Sequence, residues 1–355
     1  MLVKKLGGTL FSSAKDLNYL NSIIPQNMNN CKSVIIVSAF GKTTRLFDKA
    51  IYMASQGDFD QANLALDEIM NFHEVFLTKI NNSNDELLMN FKLLFSNQKR
   101  ILKGVSITKE LTKKTRDKFL AAGEQLALLI IYNYARQFDD KVCMLDASNL
   151  FITDDNFGNA APLIPTTSQR ITSTIPNLFK SFNTVITQGF VGSTTQGDTT
   201  TMGIESSNLS AALIAYSLDT PELHIITDVE GIQTADPRLF SEAKHIESIS
   251  YDLAETLAKR GLKLIYPNMI PLLKEKNIQA IYYSANNPEG NRTIIGNSSA
   301  DNLSPIITHN ENSIWLTNVN FQTFVSCLGK LSSNEIKDNI KEVHYFDDNS
   351  VNIQR

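Results

Sequence analysis

Residues 2–9 read Leu2-Val3-Lys4-Lys5-Leu6-Gly7-Gly8-Thr9, a short apolar run that ends on two glycines with lysines just before them. Glycine has no Cβ, so the backbone N–H groups of such a turn can approach an anion, and a lysine beside it suits phosphate. A strand followed by Gly-Gly is also an ordinary turn, so the motif needs corroboration from the rest of the chain. Working outward, 34–37, 185–187, 223–227 and 278–283 are similar short apolar runs, several rich in β-branched residues, and read as buried strands. The segments between them have helical spacing. Leu87, Leu88, Phe91, Leu94 and Phe95 recur at three- and four-residue steps, and 119–134 is apolar on nearly all sides, as a helix buried in a layered domain is. This alternation predicts an α/β fold with a mainly parallel sheet. Ser250 is placed to cap a helix that Gly261 closes, with Leu253, Leu257 and Ala258 on one face and Lys263 just past its end.

Composition narrows the function classes. The 355 residues are 42% hydrophobic and 20% charged, which fits a globular chain with a sizeable core. The 37 acids and 33 bases are mixed along the sequence, so no basic face stands out for nucleic acid or an anionic membrane, and small-molecule chemistry is the better expectation. Cys31, Cys143 and Cys327 are far apart and lack metal-ligand spacing, which argues for a reducing compartment and against a zinc or disulfide framework. The longest strongly apolar stretch, 126–132, is too short to span a bilayer, and no apolar signal segment opens the chain. The cytoplasm is the expected location.

Two further segments join the first glycine turn. Thr187-Gln188-Gly189-Phe190-Val191-Gly192 follows a strand, and 199–203 then leads into a helix read as capped by Ser207 or Asn208; helix N-termini and exposed amides bind phosphate oxygens. By itself this is also an ordinary strand-loop-helix connection. The third segment, 225–238, runs from a strand end through Thr227-Asp228 and Gly231 to Asp236-Pro237-Arg238. Its aspartates suit ribose hydroxyls or a hydrated metal, and Arg238 either braces the corner or pairs with a nearby carboxylate. The five histidines are scattered and read as surface or core residues rather than catalysts.

Taken in order, these segments resemble aspartate kinases of the amino-acid kinase family. That family carries a Lys-Phe-Gly-Gly-Thr-Ser opening, a Val-Ser-Ala-x-Gly-x-Thr-Thr segment, a Gly-Glu pair, a Gln-Gly-Phe-x-Gly loop, a Thr-Thr-Leu-Gly-Arg-Gly-Gly-Ser-Asp segment and a Thr-Asp-Val-x-Gly-x-x-Thr-Ala-Asp-Pro-Arg segment. They stand here as Lys5-Leu6-Gly7-Gly8-Thr9, Val37-Ser38-Ala39-Phe40-Gly41-Lys42-Thr43-Thr44, Gly123-Glu124, 188–192, 199–208 and 227–238. The family's Gly-Ala-Lys-Val-Leu-His-Pro appears as Gly261-Leu262-Lys263-Leu264-Ile265-Tyr266-Pro267.

The resemblance implies a three-layer α/β/α sandwich over 1–295, a linker at 296–305, and a truncated ACT-like α+β segment at 306–355. It implies ATP-dependent phosphorylation of the L-aspartate side-chain carboxylate, the first step of lysine, threonine and methionine biosynthesis, with Mg2+ carried by ATP and no side-chain metal site. Lys5, Lys263 and Asn208 match catalytic positions. Gly7, Gly8, Ser38, Thr227, Asp228, Gln233, Asp236, Arg238 and Lys263 match nucleotide positions, and Thr44, Glu124, Phe190, Ile204 and Ser207 match substrate positions. Glu124 would pair with the α-ammonium. A homodimer is implied, and Trp315 and Leu316 are candidates to anchor it. The fifty residues after the linker hold one clear strand at 314–319 and a second at 342–346; two complete regulatory modules do not fit in them, so feedback inhibition by lysine or threonine is not expected. The chain departs from the family at Ile204, where the arginine that grips the α-carboxylate stands, at Asn208, where an aspartate stands, and at Leu10, Gln233 and Tyr266. Two other readings therefore stand beside the main one: a kinase of the same family acting on another amino acid or carboxylate, and a catalytically silent ATP-binding homologue.

Overall fold

A computed structural model of the chain describes residues 1–24, 32–80, 85–297, 305–310, 313–319, 342–346 and 350–354. Cys31, Cys327 and most of the expected linker at 296–305 lie outside the described residues. The chain divides into two compact units, Met1–Asp228 and Val229–Arg355.

In the first unit five strands run parallel in the order Glu222–Thr227, Leu2–Leu6, Ser33–Val37, Thr184–Gln188, Val142–Leu145. Every residue of Ser33–Val37 and Thr184–Gln188 is buried, as strands covered on both faces must be. The helices Lys113–Ala135 and Ser207–Ser217 pack on these strands, while Thr43–Ser55, Phe59–Leu77 and Asp85–Thr108 pack with one another. The expected all-round burial of 119–134 is found in Lys113–Ala135, which Thr112 caps by accepting the Thr115 N–H. The α/β class with a mainly parallel sheet, read from the sequence, is thus the observed one. One local expectation is corrected: the Ser207–Ser217 helix is preceded by Ser206 as its N-cap, and neither Ser207 nor Asn208 holds that position.

A three-stranded sheet of Ile152–Thr153, Val191–Thr194 and Thr199–Thr201 sits beside this core. Asp117, buried in the Lys113–Ala135 helix, ties it down. Its carboxylate accepts the Thr201 N–H at 2.9 Å, the Thr201 hydroxyl at 2.8 Å and the Gly158 N–H at 2.8 Å. Asp117→Ala strands all three donors, and each buried unpaired donor costs about 1–3 kcal/mol. We expect a loss of roughly 3 kcal/mol in a denaturant melt, because relaxation and entering water recover part of the sum. An unchanged midpoint would show that the three donors find other partners.

In the second unit, Ser248–Ser250, Arg292–Gly296 and Gln279–Ser284 lie side by side, the first pair parallel and the second antiparallel. Ser250 caps the Tyr251–Lys259 helix through the Leu253 N–H, and Gly261 at φ +101° closes it, as the sequence predicts. The buried face is Tyr251, Ala254 and Leu257, while Leu253 and Ala258 are only half-buried. The difference is one of phase: Tyr251 is the first helical residue, and its steps of three define the inward stripe. Beyond residue 305 the sequence gives two strands; the described residues hold four, in the antiparallel order Ile306–His309, Ser313–Thr317, Ser350–Gln354, Glu342–Phe346. The strand expected at 314–319 ends earlier, because Asn318 turns to φ +61°. Trp315 is half-buried, with the Arg260 guanidinium 4.5 Å from its ring centroid, and Arg260 also donates to the Thr317 hydroxyl at 3.0 Å. No helix among the described residues is long and apolar enough to cross a membrane.

Candidate active site

Parallel strands bring their carboxyl ends to one edge of a sheet, and in open α/β sheets ligands bind there. In the first unit this edge collects the motifs. Gly7 N–H donates to Ile226 O at 2.9 Å, Gly41 N–H to Gly8 O at 2.8 Å, and Gly189 N–H to Val37 O at 2.9 Å. The Gly7-Gly8, 38–41, 188–190 and Thr227-Asp228 segments are therefore neighbours. Glycine is required where they touch. A Cβ on Gly8 would stand 2.0 Å from Ala39 O, and one on Gly189 would stand 2.6 Å from the Ser207 Cβ.

Lys5 stands near this edge, on a strand flanked on both sides by parallel neighbours. Strand alternation sends Lys4 to the opposite face, where its Nζ donates to Ile23 O, and leaves Lys5 turned back over Gly7, with its Nζ 3.9 Å from where a Gly7 Cβ would be. Glu124, Glu205 and Asp228 all lie within electrostatic reach of Lys5 and favour its charged form, but desolvation outweighs them and pulls the ammonium down to about 8. Burial pushes Glu124 up to about 8, against the Ala39 N–H that donates to it and the charge of Lys5. The Gly123-Glu124 pair works as a unit: at Gly123 a Cβ would press within 3.2 Å of the Ala39 Cβ, so glycine lets the helix approach and Glu124 arrive beneath the turn. Glu124 Oε2, Ser38 Oγ, Thr187 Oγ1 and Ser206 Oγ are buried and have no hydrogen-bond partner among the described residues. Asp228 accepts the Thr9 hydroxyl at 2.7 Å.

The remaining expected residues fall as follows. Thr44 is partly buried in the first turn of the Thr43–Ser55 helix. Phe190 is buried at φ +64°, and its N–H donates to Ser210 Oγ at 3.1 Å. Ser207 and Asn208 are buried at the start of their helix, and Thr227 is buried at its strand end. Ile204, expected to line the substrate pocket, is 66% exposed. Gln233, Asp236, Arg238 and Lys263 belong to the second unit. There Arg238 braces the corner: its Nε and Nη2 grip the two Asp236 oxygens at 3.0 and 2.7 Å, holding that carboxyl down to about 2, and the guanidinium reaches solvent. Lys263 is exposed just past the Tyr251–Lys259 helix. His73, as the sequence suggests, is a core residue stacked on Phe40, with burial pulling it down to about 4.

Sequence reasoning missed Glu205 and Thr9 as parts of this edge. Thr9 stands inside a quoted motif, and only its pairing with Asp228, 219 residues away, gives it a role. Glu205 had one visible signal, an acidic residue where the family motif carries glycine.

The chain is similar to several known proteins. Lysine-sensitive aspartokinase 3 of Escherichia coli (strain K12) is 27% identical over 305 residues, covering 84% of this chain and 65% of that protein. The chloroplastic aspartokinase 2 of Arabidopsis thaliana is 27% identical over 299 residues, covering 83% of this chain and 54% of that one. The chain thus spans between about half and two thirds of the length of these curated relatives. The crystal structure of E. coli aspartokinase III in complex with aspartate and ADP has the same fold, with a TM-score of 0.78 at 24% identity over 100% of this chain and 78% of that one. Residues 1–281 match the sequence model of the amino acid kinase family, over more than half of the chain and across all the glycine turns described above, and the chain belongs to that family.

Proposed function

We propose that this chain is an aspartate kinase, transferring the γ-phosphoryl group of ATP to the side-chain carboxylate of L-aspartate. The observation that carries the reading is the pairing of a desolvated lysine over a glycine cradle with a buried carboxylate, Glu124, whose Oε2 has no partner among the described residues. The first suits the transferred phosphoryl group and the second an ammonium group of the acceptor. Aspartokinase relatives, and a neighbour of the same fold crystallised with aspartate and ADP, support it.

The chemistry asks for positioning and charge neutralisation. An ionised carboxylate oxygen attacks the γ-phosphorus, the bond from that phosphorus to the β,γ-bridging oxygen breaks, and ADP leaves with the electron pair, so no general base is needed. Lys5 neutralises charge on the phosphoryl oxygens, Gly7 and Gly8 admit the phosphates to backbone N–H groups, and Ser38 and Thr227 offer hydroxyls at the neighbouring strand ends. In this reading magnesium arrives on the nucleotide rather than on a side-chain site. Bound in that way, magnesium would share the neutralisation of the phosphate oxygens. Within the first unit, Asp228 with Thr9 belongs to the nucleotide side of the reading, and Thr44, Glu124, Phe190, Ile204, Ser207 and Asn208 form the acceptor side; Gln233, Asp236, Arg238 and Lys263 are kept as nucleotide positions on the family resemblance alone. We read 1–295 as the catalytic domain, 296–305 as its linker and 306–355 as an ACT-like segment, in a cytoplasmic homodimer.

ATP consumption by the purified chain against a panel of amino acids and small carboxylates tests the proposal. Turnover with aspartate alone supports it, and silence with every acceptor removes it. One observation favours a second reading, another carboxylate acceptor: the arginine position of the family is an exposed isoleucine, which offers an α-carboxylate no donor. If aspartate is the acceptor, the double change Ile204→Arg with Asn208→Asp is expected to raise kcat/KM for aspartate at least ~10-fold, about 1.4 kcal/mol of transition-state stabilisation. A wild type that turns over aspartate briskly and a double mutant that gains nothing would show that the α-carboxylate is held elsewhere, with Lys42 and Arg45 beside Thr44 the nearest cations in sequence.

A further inference from the structure

Asp117 and Glu124 stand seven residues apart in the Lys113–Ala135 helix, and both are buried. Seven residues are just under two full turns, so the two carboxylates lie on one face of the helix, about 10 Å apart along its axis. Glu124 accepts the Ala39 N–H beside the glycine cradle. Asp117, at the other end of the same stripe, grips the hairpin that continues from the Phe190 turn.

The grip is made at one residue. Asp117 Oδ2 accepts the Thr201 N–H at 2.9 Å and the Gly158 N–H at 2.8 Å, and Oδ1 accepts the Thr201 hydroxyl at 2.8 Å. Thr201 pairs with Val191 across the antiparallel ladder, and the Met202 N–H beside it donates to Phe190 O at 2.9 Å. The Ala160 N–H donates to Thr201 O at 2.9 Å, so the helix, the 156–160 loop and the hairpin meet at Thr201. The Phe190 turn, at φ +64°, is therefore held through Thr201 and Met202 on one side and by Ser210 Oγ, which accepts the Phe190 N–H, on the other. Lys114, one helical turn before Asp117, reaches the far end of the same hairpin through Asp198 at 2.7 Å, but both of those side chains are open to solvent and such pairs contribute little.

We propose that Asp117 is a positioning residue for the acceptor: through Thr201 it sets where the Phe190 turn stands relative to Glu124. Its part in catalysis rests on the kinase reading, in which Phe190 and Glu124 belong to the acceptor side; the mechanical link from Asp117 to the Phe190 turn does not.

Four variants test it. Asp117→Asn keeps the shape and every bond, its carbonyl oxygen accepting the two N–H groups and its amide nitrogen donating to the Thr201 hydroxyl oxygen. Asp117→Ala removes all three bonds, Thr201→Val removes only the hydroxyl one, and Lys114→Ala is the control on the same helix. Amide hydrogen exchange over seconds to minutes, read by mass spectrometry without ligand, should quicken at least ~3-fold over 188–191 as well as over 199–204 in Asp117→Ala and Thr201→Val. Residues 33–37 should keep their wild-type rates in both, as should all three segments in Asp117→Asn and Lys114→Ala. Kinetics with aspartate then separate positioning from folding, because a misplacement of about 1 Å at a site is felt by the group it holds. Asp117→Ala should raise the KM for aspartate ~10-fold and Thr201→Val ~3-fold, with the KM for ATP and both constants of Asp117→Asn within about 2-fold of wild type. If Asp117→Ala does not fold, Thr201→Val carries both arms. Quicker exchange confined to 199–204 overturns the proposal. An equal rise in both KM values, or a loss that Asp117→Asn shares, overturns it too, and leaves Asp117 a structural tie alone. Silence of the wild type with every acceptor removes the kinase reading and leaves the exchange arm to decide the link.

Discussion

Lys5→Ala is expected to lower phosphoryl transfer ~10²- to ~10³-fold while shifting Tm by no more than a few degrees. The rate effect follows from where the amine is. Lys5 is the penultimate residue of a strand at the carboxyl edge of a parallel sheet, folded back over Gly7, with three carboxylates in electrostatic reach and desolvated enough to be pulled down to about 8. A charge kept in so dry a place is strongly felt by an approaching phosphate and weakly compensated by water. The small stability effect follows from the same facts. Desolvation costs more than the nearby carboxylates return, so the folded state gains little from the charge. Glu124 is already pushed toward its neutral form and can take up the proton that Lys5 no longer balances. Measuring turnover and melting temperature on one preparation separates the outcomes. Near-normal turnover in a well-folded mutant would remove Lys5 from the chemistry, and a mutant that does not fold would make it a structural ion pair.

Gly8→Ala should cost both fold and function. The new methyl group would stand 2.0 Å from Ala39 O, a backbone atom that cannot swing aside, and Gly8 O is itself the acceptor for the Gly41 N–H at 2.8 Å. Relief requires separating the first glycine turn from the 38–41 turn, which breaks that hydrogen bond and moves Ser38 and the Ala39 N–H that holds Glu124. Overpacking of this kind costs typically about 1–3 kcal/mol, and displacing the cradle should reduce turnover by more than ~10-fold. Gly104→Ala is the matching control. Gly104 lies in the Asp85–Thr108 helix with nothing within 4 Å of the added Cβ, so alanine there should raise stability by about 0.5–1 kcal/mol and leave turnover alone. Equal behaviour of the two variants would mean that the contact at Ala39 yields easily, and that the glycine cradle is not a rigid part of the site.

Four of the five parallel strands, the buried character of the Lys113–Ala135 helix, and the Ser250 and Gly261 ends of the Tyr251–Lys259 helix were legible because each depends on local chemistry, whereas Val142–Leu145, at the end of the strand order and exposed at Met144, was not read. Covered strands need continuous apolar runs, a buried helix needs apolar residues all round, and caps need particular side chains or none. The order of the glycine turns along the chain also carried family membership, since each turn tolerates few residue types. Other features depend on residues far apart in the sequence. Asp228 meets Thr9 across 219 residues, and Asp117 meets Thr201 across 84, pairings for which no periodicity exists. The two short strands at 306–309 and 350–354 are too brief and too polar to stand out until partner strands satisfy their backbones. The sequence by itself determined the fold class and the presence of a lysine beside a glycine turn. Only the tertiary structure decided that Lys5 faces Glu124, Glu205 and Asp228, because electrostatic proximity is set by how strands and helices pack, and a chain read in order carries no distances.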